Sequence, residues 1–117
     1  MLDLIIETKN FKDIDIFSEI LKNRLINYKK INFSKNNLND ETCSKYLCSK
    51  KFEEEIGGSQ KIIEIAKNFK SKEIYVVNEN SSEFKINSNL GGKYLEIKLP
   101  KQSNIGQPQR NYGLQML

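Results

Sequence analysis

The hydrophobic pattern of this chain changes period near Glu73, and that single change limits the folds open to it. Between Ile14 and Phe69 most apolar residues recur at helical spacing. From Ile74 onward they run continuously or alternate, as strands do. A chain of 117 residues holding both patterns fits one domain with helices first and a strand-rich end, and it is long enough to bury its own core.

Residues 2–8 are isoleucine-rich and imperfectly alternating, which suits a first strand. Asn10 or Asp13 can cap a helix whose stripe is Ile14, Phe17, Leu21, Leu25 and Tyr28, widened by Ile16 and Ile20. Residues 31–34 read as a short strand, followed by an asparagine-rich loop. Asp40 begins an expected second helix through Cys43, Leu47, Cys48, Phe52 and Ile56, with Glu53, Glu54 and Glu55 on its solvated side and Gly57-Gly58 as its stop. Ser59 can cap a third, whose buried face is Ile62, Ile65, Ala66 and Phe69. Residues 74–77 read as a central strand, 83–87 and 93–99 as its antiparallel successors, with turns at 78–82 and 88–92 and Pro100 as terminator.

The expected fold class is therefore α+β: two layers, helices packed on a mainly antiparallel sheet that ends in a three-strand meander. The third helix is expected to pack on Ile74, Val76, Phe84, Ile86, Leu95 and Ile97. Residues 1–100 form the expected domain and 101–117 an extended or partly ordered tail.

Composition removes much chemistry. With no histidine there is no Ser-His-Asp triad, no Cys-His dyad and no histidine-bearing zinc site. Cys43 and Cys48 are the only thiols, and on one helix they would diverge, so they are expected to be free and the location cytoplasmic. The N-terminus has no basic leader and no apolar run approaches membrane-spanning length, so no membrane association is expected. Seventeen lysines against two arginines, with fourteen asparagines and fifteen isoleucines, match an AT-rich genome such as that of a low-GC bacterium or its phage. The net charge of +4 is mild, and several lysines fall near expected helix ends, where they complement the macrodipole.

One pattern carries chemistry. Glu96-Ile97-Lys98 lies on an expected strand and Glu83 on the strand before it; period two puts Glu96 and Lys98 on one face. The pattern resembles the PD-(D/E)XK nuclease family over roughly residues 53–98. The resemblance implies Glu83 and Glu96 as ligands of magnesium or manganese, Lys98 as the lysine orienting the nucleophile, an added acid at Glu54 or Glu55, and cleavage of DNA or RNA. Hairpin register separates this from a salt-bridged surface. In one register Glu83 faces Lys98 and Lys85 faces Glu96, two favourable pairs; in another Glu83 faces Glu96, as around a cation. The element order also resembles that of RelE-type toxins, which implies a ribonuclease working with basic and tyrosine side chains. Arg110 with Tyr112 matches those types, whereas Arg24 falls inside the first helix.

The tail has four glutamines and no acid, and its apolar residues are too sparse for a core. Gln109, Arg110 and Tyr112 could contact single-stranded nucleic acid or a partner's edge strand. The leading expectation is a small binding or regulatory accessory protein of bacterial or phage type. It would modulate or inhibit a protein or ribonucleoprotein partner through Lys85, Tyr94 and Lys98 on the sheet and Gln109, Arg110 and Tyr112 in the tail, without a cofactor. The alternative is the nuclease acting through Glu83, Glu96 and Lys98.

Overall fold

A computed structural model describes residues 2–33, 42–90 and 93–101. Its elements in chain order are β1 (Leu2–Glu7), α1 (Ile14–Asn23), β2 (Tyr28–Ile31), β3 (Cys43–Ser49), α2 (Lys50–Ile56), α3 (Ser59–Asn68), β4 (Glu73–Glu79), β5 (Glu83–Leu90) and β6 (Lys93–Pro100). The strands form one mixed sheet in the order β2-β1-β3-β4-β5-β6. The β2-β1-β3-β4 part is parallel, and β4, β5 and β6 pair antiparallel in chain order.

This order decides where the helices go. From β1 the chain passes through α1 to β2 on one side; from β3 it passes through α2 and α3 to β4 on the other. Right-handed crossovers in opposite directions place their helices on opposite faces of the sheet. The side chains agree. Phe17 and Leu21 of α1 share a cluster with Leu4, Ile6, Leu47, Tyr75 and Val77, while Phe52, Ile62 and Ile65 of α2 and α3 share another with Ile5, Tyr46 and Cys48. The parallel half thus has three layers rather than the two expected. Phe84, Ile86 and Ile97, expected beneath α3, belong to the α1 cluster; Ile74 and Val76 do lie on the α3 side.

The main local correction is residues 43–49, a strand and not the first turns of a helix. Cys43, Leu47 and Cys48 fit a helical repeat by coincidence. The governing feature is the unbroken apolar run Tyr46-Leu47-Cys48, buried completely as a parallel strand covered on both faces must be. Ser49 then caps α2, its hydroxyl accepting the Phe52 N–H at 3.0 Å.

Helix α1 also ends earlier than its apolar stripe suggests. Leu25 adopts φ 59°, the Leu25 N–H donates to the Lys22 carbonyl and the Ile26 N–H to the Leu21 carbonyl, which is a Schellman stop with leucine in the left-handed position. The chain is then free to enter β2 at Tyr28. Lys70 closes α3 in the same way, at φ 56°. Among the described residues, no helix is long and apolar enough to cross a membrane.

Candidate functional site

The sequence-predicted residues Glu83, Lys85, Tyr94, Glu96 and Lys98 all lie on the antiparallel half. Alternation turns Phe84, Ile86, Ile97 and Leu99 toward α1. Glu83, Lys85, Asn87, Tyr94, Glu96 and Lys98 therefore occupy the opposite face. Helices α2 and α3 reach only as far as β4, through Ile74 and Val76, so among the described residues no helix covers this face of β5 and β6. Tyr94 is 62% exposed and Glu96 and Lys98 are exposed beside it. Where the helices stop, a groove of about 430 Å³ runs between Ile62 and Ile63 of α3, Ile74 and Val76 of β4, and Asn87 and Tyr94 of the open strands.

The register matches neither arrangement expected from sequence. Leu90 faces Lys93, leaving only residues 91 and 92 between the strands, so Lys85 faces Lys98, Asn87 faces Glu96 and Glu83 faces Pro100. Residues 88–90, expected as turn, continue β5. The physical signal for this was Gly91-Gly92, a pair suited to a two-residue hairpin connection. Glu83 and Glu96 thus stand four positions apart along the ladder, roughly 13 Å at strand rise. They do not share a metal position. Among the described residues no group of three or more aspartate, glutamate or cysteine side chains could hold a metal ion. Glu54 and Glu55 sit on α2, where Glu55 pairs with Lys9 at 2.7 Å and accepts a hydrogen bond from Asn10.

The opposed pair Lys85 and Lys98 places like charges directly across a ladder, which costs stability in an isolated sheet. Glu96, opposite Asn87, is the diagonal neighbour of Lys85, but among the described residues it forms no ion pair with either lysine. The Tyr94 hydroxyl donates to Asn87 Oδ1 at 2.7 Å and lies 3.4 Å from Glu96 Oε2, holding that ring across the open strands. Gln109, Arg110 and Tyr112 lie outside the described residues.

A second concentration of polar groups, which the sequence reading missed, lies at the carboxyl edge of the parallel strands. Glu7 ends β1 and is fully buried. Its Oε2 accepts the Phe33 N–H at 2.8 Å and the Lys9 N–H at 3.1 Å, while Oε1 has no hydrogen-bond partner. Burial outweighs those two hydrogen bonds and raises its pKa. The Tyr46 hydroxyl is near enough to perturb Glu7, yet it too makes no hydrogen bond of good geometry. Phe33, whose N–H Glu7 accepts, makes an edge contact with Phe52, 5.8 Å between centroids. Burial also raises the Cys48 thiol, so it is not a reactive thiolate, and Cys43 and Cys48 are both free and buried.

Across the same edge, Lys101 is an anchor rather than a tail residue. Its side chain is only 8% exposed, its ammonium donates to Asp13 Oδ2 at 2.6 Å and stands 4.9 Å from the Phe84 ring centroid. Lys101 holds the Asp13 carboxyl below the usual aspartate range. Glu79 ties the same region together, accepting the Lys12 N–H at 2.8 Å and the Asp13 N–H at 3.0 Å. The only advance signals were an acid closing an apolar strand, at Glu7, and an acid at the end of the central strand, at Glu79.

No family model, no curated protein and no solved structure matches the chain.

Proposed function

We propose that this is a small binding and regulatory protein that modulates or inhibits a protein or ribonucleoprotein partner through the open face of β5 and β6. The observation that supports this reading most is the Lys85–Lys98 opposition on a face that none of the described helices covers, beside an apolar groove. An exposed sheet face serving only solubility gains from unlike cross-strand pairs. Like charges there, next to an exposed Tyr94, fit a partner that brings acidic side chains to the two lysines and an apolar side chain to the groove. In this reading Gln109, Arg110 and Tyr112 add contacts from the tail.

The test is affinity capture with three immobilised baits: the wild-type chain, a Tyr94→Ala/Lys98→Glu variant, and a chain shortened after Lys101. A partner held by the wild type, lost by the face variant and weakened by the shortened chain, with all three giving the same circular dichroism spectrum, is the expected result. A partner retained unchanged by the folded face variant would move the interface elsewhere.

A further inference from the structure

We infer that the cavity at the carboxyl edge of β3 and β4 is a binding site for a small phosphorylated, hydroxyl-bearing metabolite, of the chemical class of a sugar phosphate. The cavity adjoins the groove of the partner face at Lys50 and Asn78, and the inference rests on the residues that only the cavity has.

Location is the first argument. Neighbouring parallel strands β1 and β3 send their chains to opposite faces of the sheet, into α1 and α2 respectively, so the loops beyond their carboxyl ends diverge and leave a crevice. Open parallel sheets bind ligands at such a reversal. At the carboxyl ends of β3 and β4, with Lys12 of the segment after β1 in its lining, is a cavity of about 450 Å³, in the size range of small-molecule sites.

Charge is the second. Four lysines line the cavity from three separate segments: Lys12 after β1, Lys50 and Lys51 at the start of α2, and Lys101 after β6. Two carboxylates, Glu54 and Glu79, join them, and Glu79 is already engaged by two backbone N–H groups and by Lys101 at 3.7 Å. Lys50 is taken by Glu53 at 2.9 Å and Lys101 by Asp13. Among the described residues this leaves Lys12 and Lys51 outside any close ion pair, Lys12 acting only at longer range on Asp13, so that two cations from separate segments line one cavity. That arrangement matches a dianionic phosphate.

The rest of the lining sets the remainder of the ligand. Asn78, Asn80 and Ser81 offer hydrogen bonds and Glu54 can accept from hydroxyls, while the Ser49 hydroxyl already caps α2 and the Val77 side chain is buried in the α1 cluster. None of the described lining residues is aromatic, so a nucleobase finds no stacking platform. A compact polyol phosphate matches the groups left available: two lysines, the amides and hydroxyl of Asn78, Asn80 and Ser81, and Glu54.

Calorimetric titration of the full chain with ribose 5-phosphate, inorganic phosphate, ribose and adenosine monophosphate, at fixed ionic strength, tests this. Ribose 5-phosphate is expected to bind saturably, more tightly than inorganic phosphate, with the nucleotide gaining nothing from its base and ribose silent. Lys12→Gln/Lys51→Gln should weaken binding at least about tenfold, or about 1.4 kcal/mol, while Lys98→Gln leaves it unchanged. Amide shifts of Asn80 and Ser81, which line the cavity and not the groove, report the same site in the wild-type protein without any substitution. Equal weakening by Lys98→Gln would reduce the effect to general attraction by a basic surface. Absence of saturable binding, or shifts that avoid Asn80 and Ser81, would overturn the inference, and neither result bears on partner capture through Tyr94 and Lys98.

Discussion

The parallel and antiparallel halves of this sheet are built from similar strands but covered differently. Around β1, β3 and β4, side chains on both faces disappear beneath helices, and Ile5, Ile6, Tyr46 and Leu47 are wholly buried. On β5 and β6, among the described residues, only the face carrying Phe84, Ile86, Ile97 and Leu99 is covered. Among the described residues, those facing the other way lie under no helix, and their chemistry is free to serve something other than folding. A substitution should therefore be costly in the first half, and on the bare face it should be nearly silent in stability.

The largest effect is expected at Phe69, which is buried and stacks on Tyr46 with centroids 5.8 Å apart. Phe69→Ala should destabilise by about 3–5 kcal/mol in a urea melt. Tyr94→Ala on the bare face should stay within about 0.5 kcal/mol of the wild type in the same assay. Similar losses at both positions would erase the contrast between the halves.

Glu7 sharpens it, because the covered half contains one group that works against folding at neutral pH. Its carboxyl titrates above the ordinary glutamate value of 4.5 because burial disfavours the anion. Between those two values the folded chain holds more protons than the unfolded chain, so this group's contribution to stability falls as pH rises through the window. Glu7→Gln removes that loss and offers a donor toward the unpaired Tyr46 hydroxyl. The variant should gain on the wild type as pH rises from 4.5, by about 1–3 kcal/mol once Glu7 is fully ionised, the scale of one unpaired buried polar group. Parallel pH-stability curves for the two proteins would place the titration elsewhere.

A smaller gain is expected where backbone and side chain disagree. Leu25 is 92% exposed and sits at φ 59°, a conformation glycine adopts without strain. Leu25→Gly should raise stability by about 0.5–1 kcal/mol, after the added entropy of the unfolded glycine is subtracted. A loss would mean that Leu25 packs in solution.

Legibility in the sequence followed the same division. Helix α3 and strand β4 were readable because their patterns have one interpretation each: a clean stripe at Ile62, Ile65, Ala66 and Phe69, and the continuous run 74–77. Strand β3 was not, since a run buried on both sides carries no period of its own and Cys43 and Leu47 happen to stand four apart. The hairpin register turned on whether residues 88–90 belong to turn or strand, and alternation alone is satisfied by every even shift. Glu7 and Lys101 escaped notice for a related reason. Each is a single charged residue whose role arises from neighbours more than twenty positions away, Phe33 for one and Asp13 for the other. The faces of β5 and β6 were legible from alternation, but what sits opposite what was not.

The central claim is that the bare face of β5 and β6 is not arranged for stability. The direct measurement is the unfolding free energy of Lys98→Glu, the variant that converts the Lys85–Lys98 opposition into an unlike pair. The account predicts a gain of a few tenths of a kcal/mol, about 0.2–1, at low salt, shrinking as salt screens the pair. A loss of about 1 kcal/mol or more would contradict it, because it would show that Lys98 already holds the native sheet together.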